Sequence, residues 1–197
     1  MQKSRGICAA FSRIVARTVA IATVAALPGG CQQAEYAAPT AARPQPVSYA
    51  CGENGFLTTS LHGAITTRLD WQAADLECEG MPRPDGEGAR LRFAGTHGER
   101  QIAIIIAMPS LQRGSTGKEI ASNVTLIEEG NGRFFSTPDL NNCWTDVTSI
   151  EAFGESSTRF SIGGTLYCVQ PLAEVNGRSS VSLTELQFQG LLDWSAS

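Results

Sequence analysis

Residues 143–168 read Cys-Trp-Thr-Asp-Val-Thr-Ser-Ile-Glu-Ala-Phe-Gly-Glu-Ser-Ser-Thr-Arg-Phe-Ser-Ile-Gly-Gly-Thr-Leu-Tyr-Cys, and their alternation decides the fold. Two runs, 143–153 and 158–169, are rich in Val, Ile, Thr and aromatic residues, the side chains that suit a pleated surface. Between them Gly154-Glu-Ser-Ser157 has the composition of a tight turn. If Phe153 faces Thr158, opposed residue numbers add to 311, and Cys143 faces Cys168. Directly opposed residues of a ladder have Cβ atoms about 4.5–5.5 Å apart, near bridging range. The register therefore predicts a Cys143–Cys168 disulfide. It puts Thr145, Val147, Phe160, Ile162 and Leu166 on the cysteine face. Trp144 and Tyr167 fall opposite each other on the other face, with Asp146, Thr165 and Arg159.

Outward from this hairpin the same period of two recurs. Leu57, Thr59, Leu61, Ile65, Leu69 and Trp71 share one parity, interrupted at Gly63, where the pattern predicts a bulge or bend. Leu91 and Phe93 alternate with Arg90 and Arg92. Residues 101–108, Gln-Ile-Ala-Ile-Ile-Ile-Ala-Met, form the continuous apolar run of a central buried strand. Gly130-Asn-Gly132 is a hairpin turn between 124–127 and 133–136. The last strands are expected near 181–184 and 186–194. Only residues 118–122 suggest a single helical turn. About eight short strands in residues 51–197 predict an all-β fold, an antiparallel β-sandwich, with a small β-barrel as the second choice.

The chain has 197 residues and a formal charge of −4. The charge is unevenly placed. Lys3, Arg5, Arg13, Arg17 and Arg43 face Glu35 alone in the first fifty residues, which leaves ten basic and eighteen acidic groups in 51–197. An acidic domain repels phosphate backbones, so no nucleic-acid partner is expected.

Residues 1–30 have the layout of a secretory signal: a basic start, then the apolar run Thr18 to Leu27. That run is too short to span roughly 30 Å of hydrocarbon as a helix. Leu27-Pro-Gly-Gly-Cys31 follows, and it resembles the lipobox of bacterial lipoproteins. Gly30 fits the small residue before the cysteine. Pro28 stands where an aliphatic residue is usual, with Leu27 one place further back. The resemblance implies cleavage before Cys31, lipidation of Cys31 and a membrane partner through that anchor. Gln32 at the next position implies, by the same resemblance, an outer-membrane lipoprotein facing the periplasm or the surface. The alternative is a soluble periplasmic or secreted protein. Residues 31–50, with three prolines and many alanines, read as an extended tether.

Cys8 and Cys31 belong to the leader and its cleavage site. Cys51, Cys78, Cys143 and Cys168 remain, and in an exported domain four cysteines suggest a disulfide framework. With 143–168 assigned by register, Cys51–Cys78 follows by elimination. No Cys-x-x-Cys pair occurs, and neither His62 nor His97 is close to a cysteine in sequence, so zinc is not expected.

Catalytic signatures are lacking. The sequence has no Gly-x-Ser-x-Gly elbow and no His-Glu-x-x-His. Gly114-Ser-Thr-Gly-Lys118 has the wrong spacing for a phosphate loop, and Glu119 stands in place of the hydroxyl residue. His62 and His97 sit among polar or turn residues and read as solvated. Asp75, Glu77 and Glu79 alternate as a solvated acidic face. Residues 174–185 are similar to the calcium loop of dockerin repeats: Glu174, Asn176 and Glu185 match the first, third and twelfth positions. That resemblance makes them a weak metal candidate, since Arg178 and Ser179 stand where Asp and Gly belong. A hairpin turning at Asn176-Gly177 is the stronger reading. No metal and no cofactor are expected.

These readings predict an exported, lipid-anchored cell-envelope protein whose folded domain is a non-catalytic binding or structural module. The partner would be an envelope protein or a glycan, held on the Trp144/Tyr167 face. The alternatives are a glycan-binding module proper and a small periplasmic hydrolase, which would need a pocket joining a histidine to a carboxylate.

Overall fold

The computed structural model describes residues 51–84 and 87–195. The signal peptide, Cys31 and the tether read in 1–50 lie outside them. The described residues are all-β, with twelve strands and no helix. The strands are β1 (Phe56–Gly63), β2 (Thr67–Gln72), β3 (Leu76–Pro82), β4 (Ala89–His97), β5 (Arg100–Met108) and β6 (Gly117–Glu129). They continue with β7 (Arg133–Ser136), β8 (Cys143–Ala152), β9 (Arg159–Cys168), β10 (Leu172–Glu174), β11 (Ser180–Leu183) and β12 (Leu186–Asp193). All pairings are antiparallel, and the order is β3-β4-β5-β6-β7-β10-β11-β1-β12-β9-β8, with β2 also on β1.

The count rises from about eight to twelve for definite reasons. The alternating run 57–71 is two strands, β1 and β2, paired from Phe56↔Gln72 to Leu61↔Thr67. Gly63 marks the approach to a hairpin turn, not a bulge in one strand. Its φ of 105° is open to glycine, and its carbonyl accepts a hydrogen bond from Thr66 Oγ1. Residues 118–122 extend β6 and form no helical turn.

One sheet makes two layers because long strands belong to both. In β6, Gly117 and Ile120–Ser122 pair with β8, whereas Asn123–Glu129 pair with β5. In β1, Phe56–Thr58 pair with β12 and Leu61–Gly63 with β11. Strand β12 then packs across β3 and β4, which it does not pair with. Phe93 of β4 and Phe188 of β12 meet there at 5.5 Å between ring centroids. Two glycines let the layers approach. A Cβ at Gly190 would lie 2.7 Å from the Phe93 ring, and one at Gly80 would collide with the Leu191 carbonyl.

The core between the layers holds Leu57, Leu69, Trp71, Ile104, Phe135 and Leu166, all nearly or fully buried. Each such side chain contributes about 1.5–3 kcal/mol through removal from water. Both disulfides are present as expected, Cys51–Cys78 and Cys143–Cys168, closing separations of 27 and 25 residues.

Candidate functional site

Alternation along β8 and β9 sorts the hairpin into two faces. Cys143, Thr145, Val147, Ile162 and Leu166 turn into the core and are buried. Buried Thr145 hydrogen-bonds the Ser122 hydroxyl at 2.8 Å, and Ser122 in turn donates to the Ile120 carbonyl. Both polar groups are thereby satisfied away from water.

The pairing adds to 311 from Cys143↔Cys168 to Val147↔Gly164, as the sequence predicts. Beyond it, Ser149↔Gly163 and Ala152↔Phe160 add to 312. A bulge at Thr148 absorbs one residue, and the Phe153 N–H bonds the Arg159 carbonyl instead of meeting Thr158.

On the outer face Trp144 lies opposite Tyr167. Their rings are near-parallel, 24° between planes, with centroids 5.7 Å apart. Tyr167 is 36% exposed and Trp144 half-buried. On its other side Trp144 is opposed across the ladder by Ala121 of β6, a small residue. Val169, two residues past Tyr167, is exposed and lengthens the apolar strip.

Carboxylates border the pair. Asp146 Oδ1 accepts the Glu119 N–H at 2.7 Å, which holds that residue at a positive φ of 52° in the irregular start of β6. Partial burial first, then the charges of Glu119 and Asp146, push the Tyr167 phenol above its ordinary range. The phenol therefore stays protonated and able to donate. Arg159 shares the face only by parity. It sits at the opposite end of β9, with its guanidinium 5.1 Å from the Phe153 ring centroid.

Strand order extends this face beyond the hairpin. One row runs Asp146, Thr165, Gln187, Thr58 and Asp70 across β8, β9, β12, β1 and β2. The next runs Ser149, Gly163, Gln189, Phe56 and Gln72. Nothing in one chain's alternation tells that β12 and β1 lie between β9 and β2, so these residues escaped the sequence reading. Many are already held. Thr58 Oγ1 and Gln72 Nε2 both donate to Asp70 Oδ1 at 3.2 Å, and Gln189 Nε2 donates to Ser161 Oγ at 2.6 Å.

The other sequence candidates separate. Glu174 lies at the end of β10, and Asn176, at φ 61°, lies in the turn to β11. The Glu174 carboxylate accepts from Ser179 and, at 3.0 Å, from Arg133 Nε; the Ser179 bonds first and Arg133 second hold it below the usual carboxylate range. Glu185 accepts from Gln187. Among the described residues no group of three or more acidic, histidine or cysteine side chains is placed to hold a metal ion. His97 Nε2 lies 2.6 Å from Thr67 Oγ1, beside an open depression of about 750 Å³ lined also by Asp70, Asp75 and Glu77. Among the described residues no carboxylate bonds the imidazole, so the pair lacks the orienting group of a nucleophile–base arrangement.

No family model, curated protein or solved structure matches the chain.

Proposed function

We propose that this chain is an exported envelope protein, lipid-anchored at Cys31, whose β domain is a non-catalytic binding module working through the outer face around Trp144 and Tyr167. The observation that carries the reading is the aromatic pair itself. Large aromatic side chains usually end up mostly buried, and the inner face of the same hairpin is filled by Thr145, Val147 and Leu166. Trp144 and Tyr167 are instead kept near-parallel at the surface, on a ladder tied at its open end by Cys143–Cys168. A platform on a rigid strand pair binds at low entropic cost, because its rotamers are set before the ligand arrives.

The tether read in residues 31–50 and the two disulfides agree with work outside the cytoplasm. The hydrolase alternative is weaker, since His97 has a hydroxyl neighbour and no carboxylate bond among the described residues.

Three measurements test the proposal. Intact mass of the membrane-extracted protein, with and without reduction, should give an N-terminal Cys31 bearing acyl chains and two disulfides. A Cys31→Ser chain should leave the membrane fraction. A photo-reactive residue at position 167 should cross-link an envelope component in cells, and Trp144→Ala should abolish that product while leaving the domain folded. If Trp144→Ala unfolds the domain outright, the pair is core packing and the reading is wrong.

A further inference from the structure

We infer that the ligand of this face is a glycan of uncharged sugars, laid across the strands from Trp144 and Tyr167 toward Asp70. The inference rests on the binding-module reading above and adds the chemistry of the ligand.

A sugar ring offers two surfaces: a C–H face that packs on an aromatic ring, and a rim of hydroxyls that both donate and accept. The outer face offers both complements in order. The aromatic pair and exposed Val169 stand at one end. Hydroxyl and amide groups follow: Thr165, Gln187 and Thr58 in one row, Ser149 and Gln189 in the next. Thr58, Gln187 and Gln189 each donate one hydrogen bond internally, to Asp70, Glu185 and Ser161, and keep acceptor lone pairs for a sugar hydroxyl. Asp146 and Asp70 each use Oδ1 internally, toward Glu119 N–H and toward Thr58 and Gln72. Their Oδ2 atoms make no hydrogen bond among the described residues and are available to accept.

Charge selects among glycans. The two polar rows and the aromatic pair contain two carboxylates and no lysine or arginine. Phosphorylated or uronic-acid polymers would meet these two carboxylates and, beside them, Glu119 next to Tyr167 and Glu185 next to Gln187, an excess of negative charge over the arginines nearby. Two arginines share this parity: Arg68, two residues from Asp70 on β2 and opposite Ser60, and Arg159, over Phe153 at the far end of β9. A protein partner fits less well. Protein interfaces bury apolar cores depleted of charge, whereas past the aromatic strip this face is polar apart from half-buried Phe56.

Shape agrees. Gly163 carries no side chain where the second row crosses β9, and Ser149 and Gln189 lie over it. An added Cβ would come 2.7 Å from Ser149 Oγ and closer still to Gln189 Oε1. The glycine thus lets these two polar side chains lie flat over β9, and the Gln189 amide stays within reach of Ser161. From β8 to β2 the shelf spans four inter-strand steps, about 19 Å, enough for several linked rings.

The test uses the full-length purified protein in native electrophoresis and calorimetry. The probes are a β-1,4-linked N-acetylglucosamine tetramer, a soluble neutral β-glucan and polygalacturonate. Binding is expected to at least one neutral probe and not to polygalacturonate. Trp144→Ala should weaken it roughly tenfold or more. Gln187→Ala should weaken it roughly threefold to tenfold. Gly163→Ala, whose Cβ meets only side-chain ends, should weaken binding while the melting temperature holds. If polygalacturonate binds as well as the neutral probes, the selection argued from charge is overturned. If no neutral probe binds but position 167 still cross-links an envelope protein, the glycan is overturned and the binding-module reading stands. If neither glycan nor cross-link is found, both fall.

Discussion

The two disulfides close loops of nearly the same size, yet they sit in different kinds of structure. Cys143–Cys168 joins directly opposed residues at the end of a ladder whose strands are already hydrogen-bonded. Cys51 lies ahead of β1, outside any strand, and its bond reaches across to β3. With separations of 25 and 27 residues, loop-closure entropy assigns each bond about 3.5 kcal/mol. The difference between them therefore lies in the native state. One bond reinforces a hairpin, and the other holds a segment with little other regular pairing.

The largest expected effect is loss of both bonds. About 7 kcal/mol would go, comparable with the whole stability of an ordinary domain. The reduced protein should be unfolded or nearly so in urea titrations run with reductant. The next effect separates the pair. Replacing Cys143 and Cys168 by Ala, or Cys51 and Cys78 by Ala, should each lower the unfolding free energy by about 3.5 kcal/mol. Hydrogen exchange should then differ. The second variant exposes the amides of residues 51–55, whereas the first leaves the β8–β9 ladder protected below global unfolding. Equal exchange in the two variants would erase the distinction.

The smallest effect concerns acid, to which neither bond responds. Glu174 is held below its ordinary value near 4.5 by Ser179 and Arg133. Its contribution is complete above that value and fades as pH falls through its lower, folded value. Glu174→Gln should flatten the acid limb of a stability-versus-pH curve by lowering stability at neutral pH, and leave stability in acid little changed. An unaltered slope would assign the acid sensitivity elsewhere, with Asp193, lowered by its Ser195 bonds, as the next carboxylate to test.

How much of this was legible follows from range. The Cys143–Cys168 hairpin was readable because two alternating runs, a turn and a pair of cysteines agree on one register. The bulge at Thr148 was not, since the bulged residue carries no compositional mark. The β1–β2 turn was legible only as a bulge or bend at Gly63, because Ile65 and Thr66 resume the same alternation beyond it. Of the candidate face, the Trp144–Tyr167 juxtaposition followed from local pairing. Gln187, Gln189, Thr58 and Asp70 did not, because β12 and β1 join β9 to β2 out of chain order.

The bond from Cys51 to β3 also has a mechanical consequence. A pull applied to the chain upstream of Cys51 passes through the sulfurs into Cys78, so residues 52–77, with the whole β1–β2 hairpin, carry no tension. Force is delivered to β3, which is paired along its length with β4. The β3–β4 ladder then takes the load first, and β1, paired with β2, β11 and β12, is spared it.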